Sequence, residues 1–243
     1  MRIVVILPTY NEGANIAPLL RAVSLELERI SHDSRILVVD DNSPDGTGDR
    51  VREIQRIYPK VHLLQDDRAG LGAAYTRGMR YALDTLDAEV VFEMDADFSH
   101  KPEDIPRLMA QIEAGYDFVI GSRYVPGGTI PDNWGILRRA MSIGGNSAVR
   151  LIAGQHPIRD WTGGFRAIRA TVLRKIELND LKARGYVFQV ALLNAAREAG
   201  ARIREIPIDF VERAAGESKL GFPDAVEFML RIWRIRKGRR TRR

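Results

Sequence analysis

Short apolar runs alternate with amphipathic segments along the first 125 residues. Five runs rich in β-branched or other apolar residues are predicted to be strands: RIVVIL (2–7), RILVVD (35–40), VHLLQ (61–65), AEVVFEMD (88–95) and DFVIGSR (117–123). The segments between them repeat apolar residues every three or four positions, which is the period of a helix that packs on one face. This alternation predicts an α/β fold with a mostly parallel, open sheet flanked by helices.

The pattern changes after the fifth predicted strand. The stretch VPGGTIPDNWG (125–135) is typical of a loop, and a helix is predicted over residues 136–153. Residues 159–169 are predicted to be a glycine-interrupted loop, followed by a helix at 186–200, a strand at 202–210, a loop at 211–221 and an amphipathic helix at 223–236. No repeat or linker precedes residue 214, so we expect one domain over residues 1–213 and a separate segment over 214–243.

The positive charge of the chain is concentrated at its end. The net charge is +5, but residues 231–243 carry eight Arg or Lys and no acid, which leaves −3 for the rest of the chain. The high isoelectric point of about 9.6 therefore describes a tail and not the body.

Composition excludes several classes of site. The 243 residues include no cysteine, which excludes disulfides, thiolate catalysis and cysteine-bound metals. The four histidines are scattered, so a histidine-based zinc site is not expected. The apolar run before Pro8 is too short for a signal peptide, and no stretch is apolar enough to span a membrane. We expect a cytoplasmic protein, or one bound to the cytosolic face of a membrane.

Asp95 and Asp97 stand one residue apart at the end of the run AEVVFEMD. Side chains at this spacing in a strand point to the same side, so both carboxylates are predicted to face one point. Two such charges repel unless a proton or a cation lies between them. Together with diphosphate oxygens they would suit Mg²⁺ or Mn²⁺. The Ser99 hydroxyl could be a further ligand and His100 a hydrogen-bond donor.

Polar clusters follow three of the predicted strands: PTYNE, DDNSPDG and DADFSH. Ligands of parallel sheets bind beyond the carboxyl ends of the strands, so this coincidence favours a site over solvated strand ends. The ring of Tyr10 could stack on a base, and Glu12 could accept a hydrogen bond from a base or a ribose. Of the next two acids, Asp41 is the better candidate to face a ligand, because Asp40 ends its strand.

Residues that suit phosphate groups complement these acids. Arg binds phosphate with a planar fork and Lys as a point charge. Singly, such residues are more often solvated surface residues, but beside an acid-bound metal they indicate a site for a nucleotide diphosphate and a second phosphate. The residues are Arg123, Arg138, Arg139, Ser142, Arg213 and Lys219.

Seven motifs occur in the order LPTYNE, VVDDNSPDGT, GLGAAYTRG, MDADFSHKPED, GSRYVPGG, TGGFRA and FVERAAGESKLG. In this order they resemble the dolichol-phosphate (polyprenol-phosphate) mannose synthases, which are family 2 glycosyltransferases of the GT-A fold. The resemblance covers about residues 3–222. It implies a GT-A catalytic domain over 1–213, followed by a flexible acceptor loop, an interfacial helix and the basic tail.

The resemblance implies transfer of mannose from GDP-mannose to dolichyl or another polyprenyl phosphate, with inversion, giving a β-linked polyprenyl mannosyl phosphate. The nucleotide-sugar-binding residues it implies are Pro8, Tyr10, Glu12, Val39, Asp41, Met94, Asp95, Ala96, Asp97, Arg123, Arg213 and Lys219. It implies Arg123, Arg138 and Ser142 for the acceptor phosphate. Asp95, Asp97 and Ser99 would bind Mg²⁺ or Mn²⁺, and Asp97, Arg123 and Arg138 would be catalytic.

The implied chemistry is consistent with the residues. A phosphate monoester has a second pKa of ~6, so near neutral pH the acceptor is already a nucleophilic dianion and needs no general base. The chain departs from the family in one motif, since DWTGGF (160–165) lacks the Cys or Ser that is expected before the glycine. Some relatives also carry transmembrane helices after the catalytic region, whereas this chain ends in a basic tail.

The C-terminal segment is predicted to bind a membrane surface. Apolar residues recur at helical spacing beside the eight basic residues, which indicates an interfacial anchor. The alternative is that the helix packs on the domain and leaves only the tail free. The apolar residues are Phe222, Val226, Met229, Leu230 and Trp233.

Three other functions compete with mannosyl transfer. Glucose or another hexose could be transferred from a UDP- or GDP-sugar to the same lipid. Nucleic-acid binding is disfavoured because the tail has only one aromatic residue, Trp233, and the body is acidic. A membrane-tethered scaffold that keeps the fold without chemistry is the third. The sequence leaves open whether a partner subunit helps to anchor the chain.

Overall fold

The computed structural model describes residues 1–153, 157–181 and 186–212. Within these residues, seven strands and seven helices follow one another in the order β1 (Arg2–Thr9), α1 (Ile16–Glu28), β2 (Asp33–Asp40), α2 (Thr47–Gln55), β3 (Val61–Gln65), α3 (Leu71–Asp84), β4 (Val90–Glu93), α4 (Ile105–Glu113), β5 (Phe118–Ser122), α5 (Ile136–Ile152), β6 (Arg166–Arg169), α6 (Ala170–Leu173), α7 (Tyr186–Glu198) and β7 (Ile203–Pro207). Short 3₁₀ turns cover Pro102–Asp104, directly before α4, and Leu178–Asp180.

The strands form one sheet in the order β3-β2-β1-β4-β6-β5-β7. β6 runs antiparallel to both of its neighbours, and the other pairs are parallel. The structure therefore confirms the predicted mostly parallel α/β sheet. Because β2, β1 and β4 are adjacent and parallel, the loops after them share one edge of the sheet.

Alternation along the strands divides the core into two layers. In β1, Ile3, Val5 and Leu7 pack into one apolar cluster with α1 and α4. Val4 and Ile6 point the opposite way, into a second cluster with α3 and α7. Because side chains alternate with a period of two, a strand covered on both faces is apolar throughout, as RIVVIL is.

Two predictions about local structure were wrong. Residues 166–169, predicted to be part of a loop, form β6 between β4 and β5. β4 ends at Glu93, so Asp95 and Asp97 lie in the loop after it and the strand rule does not orient them. A strand as short as β6, with an arginine at each end, has too little apolar periodicity to be recognised locally.

Among the residues that the structure describes, no helix is both long enough and apolar enough to cross a lipid bilayer. The predicted helix at 223–236, the basic tail, Arg213 and Lys219 lie outside the described residues.

Candidate active site

The ends of β1 and β2 are joined by a buried aspartate. Asp40 Oδ1 accepts a hydrogen bond from Thr9 Oγ1 at 2.9 Å, and Oδ2 accepts from Ser43 N at 3.1 Å and Gln65 Nε2 at 3.0 Å. Asp40 is fully buried. Its carboxylate therefore fixes the loop after β2, and the assignment of Asp41 as the ligand-facing residue stays a prediction.

Asp41 holds the segment before α3 in place. Its Oδ2 accepts hydrogen bonds from Gly70 N at 3.1 Å and Ala69 N at 3.3 Å, while Oδ1 pairs with Arg77. Asp41 is only 4% exposed. A nucleotide at this carboxylate would share it with Arg77, which also pairs with Asp66 at 3.4 Å.

Pro8, Tyr10, Glu12 and Val39 lie around the end of β1. Pro8 is directly paired with Val39 across the two strands. Glu12 lies in the turn before α1, where its carbonyl accepts the backbone N–H of Asn15 and its carboxylate accepts a hydrogen bond from Asn15 Nδ2 at 2.9 Å. Pro8 and Val39 are thus neighbours across β1 and β2, and Tyr10 and Glu12 follow in the loop after β1.

Arg68 stacks on the ring of Tyr10, with its guanidinium carbon 3.8 Å from the ring centroid. This distance is well inside the range of a cation–π contact. One face of the predicted base-stacking residue is thus covered by a cation. The motif analysis did not identify Arg68, because it lies in the loop after β3 and no local pattern relates it to Tyr10.

Asp95 and Asp97 have different environments. The Asp95 side chain is 34% exposed, whereas Asp97 is 6% exposed. Asp97 Oδ1 accepts hydrogen bonds from Ser99 N at 3.0 Å and Ser99 Oγ at 2.5 Å. Phe98, between Asp97 and Ser99, has a left-handed backbone with φ of 64°, which is unusual for a bulky residue.

His100 is hydrogen-bonded to the backbone of the same loop. Its Nδ1 accepts the backbone N–H of Asp95 at 3.1 Å, so a neutral ring carries its proton on Nε2. Burial lowers the pKa of His100, although the carboxylates of Asp95 and Asp97 oppose the shift. The ring stacks on Phe165, with centroids 5.1 Å apart. His100 is therefore neutral near pH 7 and orients the Asp95 backbone.

The oxygens predicted to bind a metal suit a hard divalent cation. Asp97 and Ser99 are hydrogen-bonded to each other, and the Asp95 carboxylate is partly open to solvent. Within the described ranges, no group of three or more His, Asp or Glu side chains is placed to hold an ion. Mg²⁺ is usually held by one or two carboxylates together with substrate phosphates. The residues fit an ion whose coordination a diphosphate completes.

Glu93, the last residue of β4, forms a buried cluster with Arg166 and Gln189, directly before the loop that carries Asp95 and Asp97. The Arg166 guanidinium donates to the carbonyls of Gln189 at 2.8 Å and Trp161 at 2.9 Å, and its Nη1 lies 3.8 Å from Glu93. Burial raises the pKa of Glu93 to about 7, against the opposing effect of Arg166. The cluster links β4, β6 and α7, and the motif analysis missed it.

Arg123 forms a buried ion pair with Asp160. Its Nε and Nη2 donate to the two carboxylate oxygens at 2.8 and 2.7 Å, and Nη2 also donates to Thr162 Oγ1 at 2.9 Å. Burial alone would raise the pKa of Asp160, but the charge and hydrogen bonds of Arg123 outweigh it and the pKa is lowered. Arg123 thus contributes a positive charge that is fixed in position.

Arg138 and Ser142 lie on α5. Ser142 Oγ is 2.6 Å from the hydroxyl of Tyr124, the residue after Arg123. The Arg138 guanidinium lies 4.1 Å from the centroid of the Trp134 ring, and its Nη1 is 3.4 Å from Glu212. Arg123 directly follows β5, Arg138 and Ser142 lie on α5, and the contact between Tyr124 and Ser142 joins the two segments.

Comparison with known proteins shows that this chain is similar to family 2 glycosyltransferases. The profile of glycosyl transferase family 2 matches residues 4–177. The chain is 42% identical over 239 residues to a polyprenol monophosphomannose synthase of Mycolicibacterium smegmatis, covering 97% of this chain and 88% of the relative. It is 43% identical over 224 residues to an undecaprenyl-phosphate mannosyltransferase of Micrococcus luteus, covering 90% and 88%.

The fold resembles that of solved glycosyltransferase structures. Glucosyl-3-phosphoglycerate synthase of Mycobacterium tuberculosis, in complex with Mn²⁺ and UDP-glucose, matches with a TM-score of 0.64 and 20% sequence identity. The match covers 95% of this chain and 76% of that chain. The GT-A architecture expected from the motifs is therefore present.

Proposed function

Because the chain belongs to glycosyl transferase family 2, we propose that it transfers mannose from GDP-mannose to dolichyl or another polyprenyl phosphate with inversion. The product would be a polyprenyl β-D-mannosyl phosphate. The observation that carries this proposal is the identity of 42–43%, over nearly the whole chain, to relatives named for transfer of mannose to polyprenyl phosphates.

The donor would bind across the ends of β1, β2 and β4. In the proposal, the nucleotide contacts Pro8, Tyr10, Glu12, Val39 and Asp41, and its diphosphate lies against the loop Met94–Asp97. Mg²⁺ or Mn²⁺ held by Asp95, Asp97 and Ser99 would stabilise the negative charge of the departing GDP. The hydrogen bonds from Ser99 fix the rotamer of Asp97, so this carboxylate is oriented before the donor arrives.

The acceptor phosphate would lie between Arg123, Arg138 and Ser142. One of its oxygens forms the new bond to the anomeric carbon, while the bond from that carbon to the diphosphate breaks and its electron pair leaves with GDP. Attack opposite the leaving group inverts the anomeric centre. No proton is removed from a dianionic phosphate, whose second pKa is ~6. The neutral, backbone-bound His100 fits a reaction without a general base.

The arginines have different proposed tasks. Arg123 is locked to Asp160, so its charge stays in place without reorganisation during the reaction. Arg138 is held more loosely, by an ion pair at 3.4 Å and the Trp134 ring, and can turn onto an incoming phosphate. Arg213 and Lys219 are proposed further phosphate contacts. The same proposal assigns the catalytic domain to 1–213 and peripheral binding at the cytosolic membrane face to 214–243.

The test is transfer of radiolabelled mannose from GDP-mannose to undecaprenyl phosphate in detergent, with product measured by organic extraction. We expect transfer that stops with a chelator and returns with added Mg²⁺ or Mn²⁺. The matched arms contain UDP-glucose or GDP-glucose. Faster transfer from either of these donors would support the alternative of glucosyl transfer, and no transfer from any donor would contradict the proposal.

A further inference from the structure

No residue of the motif GLGAAYTRG (70–78) takes part in the function proposed above, although it is one of the seven motifs of the resemblance. The motif covers the glycine before α3 and the first half of that helix. Gly78 lets the helix lie close against β1 and β2, because a Cβ there would be 2.9 Å from Ile6 Cγ2 and 3.0 Å from Val39 Cγ2. The helix therefore packs on the two strands whose ends carry the residues proposed to contact the nucleotide.

Both carboxylate oxygens of Asp41 accept hydrogen bonds from the segment that contains this motif. Oδ2 accepts the backbone N–H groups of Ala69 at 3.3 Å and Gly70 at 3.1 Å. Oδ1 accepts a hydrogen bond from Nη2 of Arg77. The Asp41 side chain is 6% exposed and that of Arg77 is 22% exposed, so the ion pair is largely shielded from water. Residues 69–77 thus determine how the Asp41 carboxylate is oriented.

These hydrogen bonds limit what Asp41 can offer to a ligand. Each oxygen of a carboxylate has two lone pairs that accept hydrogen bonds. Both lone pairs of Oδ2 are used by backbone N–H groups, whereas Oδ1 has one partner among the described residues, Arg77, and keeps one acceptor position. A nucleoside can therefore donate one hydrogen bond to Asp41, from a ribose hydroxyl or from a ring N–H. The two adjacent N–H groups of guanine need an acceptor position on each oxygen, and this arrangement does not provide both.

Arg77 also pairs with a second carboxylate, that of Asp66. Its Nε lies 3.4 Å from Asp66 Oδ2, and the Asp66 side chain is 55% exposed. The backbone N–H of Asp66 donates to the carbonyl of Asp40 at 3.2 Å, which keeps the loop after β3 beside the end of β2. An exposed ion pair contributes little, whereas removing one partner of a buried pair leaves the other charge without compensation. The pair with Asp41 is therefore the one whose loss has the larger effect.

We propose that Arg77 is a positioning residue for the nucleoside part of the donor, and that it holds Asp41 so that one acceptor position of Oδ1 is open to the ligand. Arg77 acts through Asp41 and does not itself contact the substrate. The inference rests on the proposed function, because it requires that Asp41 contacts the nucleotide. Replacing Arg77 should reduce nucleotide affinity and leave turnover at saturating donor unchanged, since the reacting atoms are not involved.

The first test is a double-mutant cycle on the binding of GDP to the full-length protein, measured by isothermal titration calorimetry with Mn²⁺ and without acceptor lipid. Arg77→Gln should weaken GDP binding by about tenfold, the effect of one hydrogen bond to a charged group. Asp41→Asn should weaken it at least as much, and the double variant no more than Asp41→Asn alone, because the two residues act as a unit. Arg77→Lys should recover part of the affinity. Arg80→Gln is the matched control on the same helix, where Arg80 is exposed and donates to Asn179 at 2.9 Å, and it should bind GDP as the wild type does.

Three results would overturn this role. Additive losses in the double variant would show that Arg77 contacts the nucleotide independently of Asp41, and unchanged binding by Arg77→Gln would show that it takes no part in recognition. Initial rates give a readout that a folding defect does not: the KM for GDP-mannose should rise while kcat stays within about twofold of wild type. A fall in kcat at constant KM would contradict positioning of the nucleoside. The thermal midpoint of unfolding is measured for each variant, and the cycle is run with Arg77→Lys if Arg77→Gln does not fold.

The second test addresses the single acceptor position of Asp41. Inosine diphosphate lacks the exocyclic amino group of guanine, so the ratio of its affinity to that of GDP reports whether the amino group is recognised. We expect the same ratio in wild type and in Asp41→Asn. A preference for GDP that disappears in Asp41→Asn would show that Asp41 binds both adjacent N–H groups of guanine, and would overturn the limit to one hydrogen bond. Wild-type binding of UDP in preference to GDP would contradict the proposed donor alone, because the cycle at Arg77 would then be decided with UDP.

Discussion

At the residue scale, Asp95 and Asp97 differ in burial and in hydrogen bonding. Asp97 is buried and fixed by two hydrogen bonds from Ser99, whereas Asp95 is partly exposed above the buried ring of His100. An ion bound here would contact the carboxylate of Asp97, which is held in place, and that of Asp95, which is more accessible to solvent. The rigid carboxylate is the better candidate for setting the position of the donor diphosphate.

Asp97→Asn should reduce mannosyl transfer by about 100-fold or more while leaving the fold intact, because it removes a charge from the proposed metal site and keeps the side-chain shape. The measurement is initial rate at saturating Mn²⁺, together with the thermal midpoint of unfolding. Asp84→Asn, at the exposed end of α3, is the control and should keep full activity. Full activity of Asp97→Asn would exclude the proposed role.

The Arg123–Asp160 pair makes a prediction about stability and pH. The pKa of Asp160 is lowered in the fold, so its carboxylate stabilises the protein above the unfolded-state pKa of about 3.9. That contribution is lost as the pH falls through the lower folded-state pKa. Asp160→Asn should decrease the free energy of unfolding near pH 7 by about 3 kcal/mol, because Arg123 then remains buried without its partner.

Urea denaturation between pH 3 and 7, in steps of about one unit, measures this effect across the range in which a carboxylate titrates. The difference between wild type and Asp160→Asn should shrink at the acid end. The control is Asp49→Asn, whose side chain is 79% exposed and pairs with Arg52 on α2. A constant difference at every pH would show that the ionised carboxylate of Asp160 is not the stabilising group.

At the element scale, two glycines inside helices have opposite surroundings. A Cβ on Gly78 of α3 would lie 2.9 Å from Ile6 Cγ2 and 3.0 Å from Val39 Cγ2, so α3 lies close against β1 and β2. A Cβ on Gly144 of α5 would meet nothing within 4 Å. Close packing explains Gly78, whereas nothing in the described structure requires glycine at position 144.

The two alanine variants should therefore change stability in opposite directions. Gly144→Ala should raise the free energy of unfolding by about 0.5–1 kcal/mol, since alanine restricts the unfolded chain and favours helix. Gly78→Ala should lower it by about 1–2 kcal/mol, because overpacking outweighs the same gain in helix propensity. Equilibrium denaturation of both proteins measures this. A gain at Gly78 would mean that α3 can move away from the sheet without cost.

At the scale of the whole molecule, the positive charge is concentrated in the C-terminal tail, whereas the rest of the chain is acidic. Residues 237–243 contribute five of the eight basic residues of the tail, and the chain before residue 231 has a net charge of −3. A basic tail on an acidic body favours an anionic surface as the partner.

Deleting residues 237–243 should weaken binding to anionic vesicles more at low salt than at high salt. Each basic residue near the surface contributes about 1 kcal/mol, and screening removes this attraction as ionic strength rises. Co-sedimentation at two salt concentrations is the measurement, with a Gly-Ser tail of equal length as control. A loss of binding that is the same at both salts would refute electrostatic anchoring by the tail.

Much of the fold could be predicted from the sequence because the signals that determine it are local. Continuous apolar runs identified the first five strands, and turn residues marked the loops after them. The order of the motifs identified the family. Metal binding by Asp95 and Asp97 stays a prediction, and the strand spacing from which it was argued does not apply, because both residues lie in the loop after β4.

Contacts between distant residues could not be inferred in this way. Arg123 with Asp160, Arg68 with Tyr10, and Glu93 with Arg166 join segments from 37 to 73 residues apart, and no periodicity records such pairs. The antiparallel insertion of β6 likewise depends on the gap that β4 and β5 leave for it. Backbone propensity and the apolar period act over a few residues. A buried charged side chain, in contrast, pairs with a residue that is distant in sequence, and the two come into contact only when the sheet has formed.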